Sequence, residues 1–230
     1  MWKIKKIAGN LLLAGCLFGA LVHVNILRMR NQTTENQDAG ETWNIGNLKI
    51  IGKVILAPME GYTDQPFRQL CGSYGSSTLH VSEFINAIDI IHGHPYIVKN
   101  RVRHADNESP MAFQIFDNDP ARIVKAAHQL LQYQPDLIDI NMGCSVKKVS
   151  NRGAGAGLLR TPQKIATVFT QLVRILPVPV TGKIRLGWDE TSRNYLEIAR
   201  IIEDCGGAAL AVHGRTRDQG YSGRADWDAI

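Results

Sequence analysis

The stretch LIDINMGCSVKKV, residues 137–149, decides how this chain folds. Its first six residues are mostly apolar, with Ile alternating with polar side chains from Ile138 to Asn141, and a run that short and that rich in branched residues reads as a buried strand. The strand ends in polar Asn141, and Cys144 follows directly after Gly143 and ahead of Lys147 and Lys148. A buried strand that terminates in reactive groups raises the question of what its end faces.

Five other runs have the same character: KVILAP (53–58), TLHVSEF (78–84), MAFQIF (111–116), VPVTGKIRL (178–186) and AALAVHG (208–214). Amphipathic helical patterns separate several of them, such as DPARIVKAAHQLLQ from Asp119 and TPQKIATVFTQLVRIL from Thr161. The second opens with a Thr at the N-cap position and a Pro in the first turn. Alternation of strand and helix implies parallel pairing, either in an open doubly wound sheet or in a (β/α)8 barrel. The strand ends separate the two. They carry Pro58-Met59-Glu60, Glu83, Gln114, Asn141 with Cys144, Lys183 with Arg185, and His213 with Arg215. Polar groups at the ends of many strands suit a barrel mouth. No GxGxxG follows the first strand, and RGAGAGLL at 152–159 follows a loop, a weak dinucleotide signal. The fold class is therefore α/β, an incomplete TIM barrel with about six βα units.

Composition is that of a globular chain, with 44% apolar and 20% charged residues, and 230 residues can hold one sizeable domain or two small ones. The formal charge of +5 suits a polyanionic partner without demanding one. Cys16, Cys71, Cys144 and Cys205 are scattered, with no CxxC pair, so neither a disulfide framework nor a zinc site is expected. His92 and His94 in IIHGHPY are followed by no carboxylate or cysteine at a useful distance and read as loop residues, and no metal is assigned. Cys71 and Cys205 read as core, and His80 as a packed strand residue.

The N-terminus differs from the rest. Residues 7–27 contain no charged side chain and are followed by RMR, the pattern of a signal peptide or membrane anchor. LLAGC, ending at Cys16, also resembles a lipoprotein box. The polar run NQTTENQDAGE (31–41) reads as a linker. Residues 1–42 are accordingly expected to be an apolar leader with its linker, and residues 43–230 the barrel. Membrane attachment is expected only through residues 7–27.

Five stretches together resemble the tRNA-dihydrouridine synthase family: LAPMEGYTDQPFR (56–68), DINMGCSVKKV (139–149), GAGAGLL (153–159), VTGKIRLGWD (180–189) and AVHGRTRDQGYSGRADW (211–227). The resemblance runs from about Asn44 to Ile230. It implies a flavin-binding barrel in which FMN, reduced by NADPH, serves reduction of a uracil C5=C6 bond in tRNA. Saturating that bond requires a hydride at C6 and a proton at C5. The resemblance makes Cys144 the proton donor, a role its thiol chemistry suits, with Lys147 and Lys148 available to lower its pKa. Taken alone, a lone cysteine is more often a small buried hydrophobe. The family pattern has Pro after this cysteine, where this chain has Ser145.

By the same resemblance Lys183, Gln114 and His213 contact the flavin, along with the backbone of Ala57, Pro58 and Met59. Asn141, Arg185 and Tyr221 hold the uracil, whose base must leave the RNA stack to reach a barrel mouth. Arg215, Arg217 and Arg224 could meet phosphates but individually read as solvated surface charges. The expected partner is tRNA, the expected state a monomer and the expected location the cytoplasm. Because the family's phosphate-binding loops and helical tRNA-binding domain do not occur by Ile230, the chain is expected to be a fragment of a longer synthase. The alternative is an inactive or membrane-attached RNA-binding remnant.

Overall fold

The computed structural model describes residues 11–17, 20–27, 42–52, 54–74 and 79–230, the first two segments by their backbone alone. Its central feature is a curled sheet of β5 (Val54–Leu56), β6 (His80–Val81), β7 (Ile85–Asn86), β8 (Met111–Phe116), β9 (Leu137–Met142), β10 (Val180–Arg185) and β11 (Ala209–His213). From β6 to β11 neighbouring strands run parallel, in the order β6, β8, β9, β10, β11, with β7 also on β8. This is the arc of an incomplete (β/α)8 barrel, and all six expected strands lie within it.

The period-two alternation of a strand sorts its side chains into two cores. Phe113, Ile115, Ile138, Ile140, Ile184, Leu210 and Val212 point outward against helices and are at or near zero exposure. The helices are α1 (Gln65–Ser73), α2 (Ala87–Ile91), α3 (Pro95–Arg101), α4 (Pro120–Leu130), α5 (Lys147–Ser150), α6 (Pro162–Ile175) and α7 (Tyr195–Asp204). Ile123, Ala126 and Leu130 of α4 and Ile165, Phe169 and Leu172 of α6 recur at helical spacing and supply the opposing surface. Asp119 caps α4 by accepting from Ala121 N–H at 2.8 Å. The expected Thr161 cap is not formed. Its hydroxyl donates to Leu158 O at 3.2 Å, so α6 starts on Pro162 without a side-chain acceptor.

The intervening strand positions face inward. Ala112, Leu137, Ala209 and Ala211 pack with Ile55, Leu79 and Val81 around the barrel axis. Sequence reading missed what closes the lower end of that interior: a hairpin of β3 (Thr42–Ile45) and β4 (Leu48–Ile51). Ile45 and Ile50 are buried in the inner core. Gly46 turns the hairpin at φ +58°, with the position of its absent Cβ only 3.1 Å from Pro179 at the foot of β10. Ile45-Gly46-Asn47-Leu48 is a two-residue glycine turn between apolar residues, a signal legible in the sequence.

β1 (Leu11–Leu17) and β2 (Ala20–Leu27) form an antiparallel pair from the apolar leader. β1 runs parallel to β5, and β2 runs antiparallel to β11, so the hairpin joins the two sides of the arc. The described part of the expected signal or anchor is therefore extended backbone. Residues 7–10 and 18–19 of that expectation, and the linker 31–41, lie outside the described residues. Among the described residues, no helix is long and apolar enough to cross a membrane.

Candidate active site at the barrel mouth

The inward positions change character along each strand. Past the apolar floor, β8 presents Gln114, β9 presents Asp139 and Asn141, β10 presents Thr181, Lys183 and Arg185, and β11 presents His213. Register brings them level: Gln114 is paired with Asp139, Asn141 with Lys183, and Arg185 with His213. The cavity of about 40 Å³ among Pro58, Asp139, Thr181, Lys183 and Ala211 has room for water rather than for a ring system. Chemistry with a sizeable ligand would belong to the mouth.

A chain of side-chain hydrogen bonds crosses this layer. Gln114 Nε2 donates to Asp139 Oδ2 at 2.6 Å, and Asn141 Nδ2 donates to Gln114 Oε1 at 2.7 Å. Asn141 Oδ1 in turn accepts from the backbone N–H of Gly143 (3.2 Å) and Cys144 (3.0 Å). Thr181 Oγ1 donates to the other oxygen of Asp139 at 2.6 Å. Burial pushes the Asp139 carboxyl up, while the bonds from Thr181 and Gln114 and the nearby Lys183 charge oppose that shift.

Cys144 is half-buried in the loop that leaves β9. Burial pushes its thiol above the usual range, against a backbone hydrogen bond at Val146 and the charges of Arg185 and Lys183. The expected influence of Lys147 and Lys148 is not what the structure shows. Both are exposed in α5, and the cations that face the thiol come from β10. Gly155, at φ +53°, packs directly on this loop: a Cβ there would lie 2.9 Å from Cys144 Cβ. Ala156 N–H also donates to Cys144 O at 3.1 Å. The glycine run that looked like a weak nucleotide signal is thus a seat for the cysteine loop.

Arg185 is buried and ties that loop to the next one. Its Nε donates to Gly143 O at 2.7 Å, and its Nη1 donates to Thr216 O at 3.0 Å and Gly220 O at 2.8 Å. Nη2 reaches Ser145 Oγ at 3.4 Å, leaving one guanidinium hydrogen of five for a ligand. The exposed Tyr221 ring lies 5.6 Å from the same guanidinium. Sequence reasoning missed a second tie: Arg217 donates to Ser150 Oγ (3.0 Å) and Asn151 Oδ1 (2.8 Å), and stacks on Trp188 at 4.2 Å. Arg215, expected on the surface, is buried, with Nη1 3.2 Å from His213 Nε2 and Nε without a partner among the described residues. Because a guanidinium only donates, His213 accepts there and is neutral. Burial, then the Lys183, Arg185 and Arg215 charges, push its pKa down to about 2. Burial and Arg185 push the Lys183 ammonium down to about 8.

Pro58 shares the inner cavity with Lys183, and Ala57 is buried beside it. Met59 O receives the N–H of Tyr62 and Thr63, which shapes the following turn. That turn is held at a distance in sequence. Arg68 Nε pairs with Glu108 at 2.8 Å and its Nη1 donates to Thr63 O at 3.0 Å; Arg101 bridges Glu60, at 2.5 Å, and Glu83. Cys71 and Cys205, expected in the core, are half-buried. His92 and His94 flank the α2–α3 junction, and among the described residues no group of three His, Cys, Asp or Glu side chains could hold a metal.

A parallel strand arc with its reactive side chains gathered at the C-terminal strand ends defines a barrel protein with an enzyme-type mouth. A family profile described as dihydrouridine synthase (Dus) matches residues 55–230, and the chain belongs to that family. It is 47% identical over 186 residues to a protein of Xanthomonas axonopodis pv. citri named tRNA-dihydrouridine synthase B, a match covering 81% of this chain and 55% of the relative. Proteins of the same name from Pasteurella multocida and Pseudomonas aeruginosa are each 42% identical over the same shares. The chain thus spans about half the length of the curated relatives it matches.

The mouth also fits the flavin that the family implies. Lys183, Arg185 and Arg215 gather positive charge there, Arg215 Nε is buried without a partner among the described residues, and Gln114 and Asn141 each have a second amide N–H. Such a donor set suits an acceptor-rich, anion-forming ring system.

Proposed function

We propose that the chain carries the front of a flavin-dependent enzyme that reduces the C5=C6 bond of uridines in tRNA. The observation that carries this reading is Cys144: a half-buried thiol at the mouth, held protonated by burial and faced by Lys183 and Arg185. The names of the relatives support the substrate class, and the positive mouth supports an RNA partner. Residues 43–230 are read as the catalytic part and residues 1–42 as leader and linker, in a cytoplasmic monomer.

When bound, FMN would supply the hydride that adds to uracil C6, with NADPH as the source of the electron pair. Cys144 gives its proton to C5, and water reprotonates the resulting thiolate. A thiol pKa above the ordinary value keeps the donor form populated at neutral pH, and activity should decline as pH rises through that pKa. Lys183, with Gln114 and His213, would hold the ring system, and an ammonium there stabilises negative charge on it. The backbone of Ala57, Pro58 and Met59 would lie along it. Asn141, the remaining Arg185 hydrogen and Tyr221 would hold the base.

The test is reduction of unmodified tRNA by the chain with FMN and NADPH. Cys144→Ala should lower kcat by about 10²- to 10⁴-fold, the range of a lost general acid. Undiminished turnover would overturn the assignment. Salt-sensitive tRNA retention without flavin uptake would instead support the RNA-binding remnant.

A further inference from the structure

The relay from Asp139 to the cysteine loop has only one consistent direction. Backbone N–H groups can only donate, so the Asn141 atom facing Gly143 and Cys144 must be its oxygen. Its amide nitrogen then faces Gln114, whose oxygen accepts, and the Gln114 nitrogen faces Asp139. The last group must accept and offer no hydrogen of its own toward Gln114. A carboxylate oxygen meets that demand, and Thr181 holds the carboxyl from its other side. Either amide, if turned around, would set donor against donor within a buried layer, where unsatisfied polar groups are costly.

We propose that Asp139 is a positioning residue: it sets the direction of the Gln114–Asn141 relay and thereby holds the Gly143–Cys144 backbone that presents the thiol. The proposal rests on the reading of Cys144 as proton donor for its functional consequence, but not for its structural content. The relay also turns a fixed face toward the mouth. Each amide has one N–H in the relay and one left over, so Gln114 and Asn141 offer donors to whatever binds there. Asp139 itself lies one strand repeat deeper than Asn141 and acts through the two amides rather than on the reacting atoms.

Hydrogen exchange of the Gly143 and Cys144 amides, measured by NMR on the full chain, tests this. In Asp139→Ala both amides should exchange at least about tenfold faster, while amides in α6 keep their protection. Asp139→Asn should restore most of the protection, because its carbonyl can still accept from Gln114 while its NH2 meets the Thr181 hydroxyl. Iodoacetamide should alkylate Cys144 at a changed rate in the Ala variant and near the parent rate in the Asn variant. Should Asp139→Ala fail to fold, Gln114→Met cuts the relay one link later and should give the same local loss. Unchanged exchange at the two amides, or failure of Asn to rescue, would overturn the proposal. Activity of Cys144→Ala on tRNA would overturn the proton-donor reading instead, leaving the exchange result intact.

Discussion

From β8 to β11 every strand runs five or six residues and pairs along its length, whereas β5, β6 and β7 have three, two and two residues. The long-strand side places its polar side chains by backbone register: Gln114 lies level with Asp139 and Thr181, Asn141 with Lys183, and Arg185 with His213, in successive layers toward the mouth. The short-strand side has too little ladder for that. Its loop from Ala57 to Asp64 is held by charges from far along the chain, Arg68 with Glu108 and Arg101 with Glu60 and Glu83. Where backbone pairing is short, ionic struts replace it, and the two sides should respond differently to loss of a single side chain.

The sharpest way to break that comparison is Arg68→Met. It leaves Glu108 buried without its cation, which should cost about 3–5 kcal/mol of stability in urea unfolding. A loss below about 1 kcal/mol would mean that the short-strand side is held by its backbone after all. On the other side, Lys183→Met removes a charge from the barrel interior. The folded-state pKa of about 8 lies below the ordinary 10.5, so the native chain binds fewer protons between those values and gains stability as pH rises through them. Parent stability relative to Lys183→Met should therefore rise between pH 8 and 10.5, by at most about 1.4 kcal/mol per pH unit, and stay level below pH 8. A flat difference across that window would place the ammonium in solvent. The smallest effect is expected for Glu60→Gln, because Glu60 is half-exposed and Arg101 keeps its buried partner Glu83. About 0.5–1 kcal/mol should be lost, and less at high salt.

Much of the barrel was legible in the chain. MAFQIF and LIDINM are strands at their expected bounds, and the other four lie inside theirs, because alternation and branched side chains are local properties. The strand-end reading found the mouth for the same reason. It erred where burial depends on the whole fold. Arg215 looked like a surface charge, and Lys147 and Lys148 looked like neighbours of Cys144, because proximity in sequence does not tell which side of a loop faces inward. Gly155 was visible as a glycine run, but its purpose was not, since the constraint comes from the position of Cys144 eleven residues earlier.

By itself, then, the sequence determined six barrel strands, the helices α4 and α6 and the identity of the polar groups at the strand ends, since each follows from the period of side chains along one segment. Tertiary structure decided which of those groups meet: the Asp139–Gln114 bond across two strands, the Arg68–Glu108 pair forty residues apart, the docking of the β3–β4 hairpin against the inner core and the apolar leader's strands beside β5 and β11. Those choices depend on the closing of long loops and on shared burial, and no local pattern encodes them.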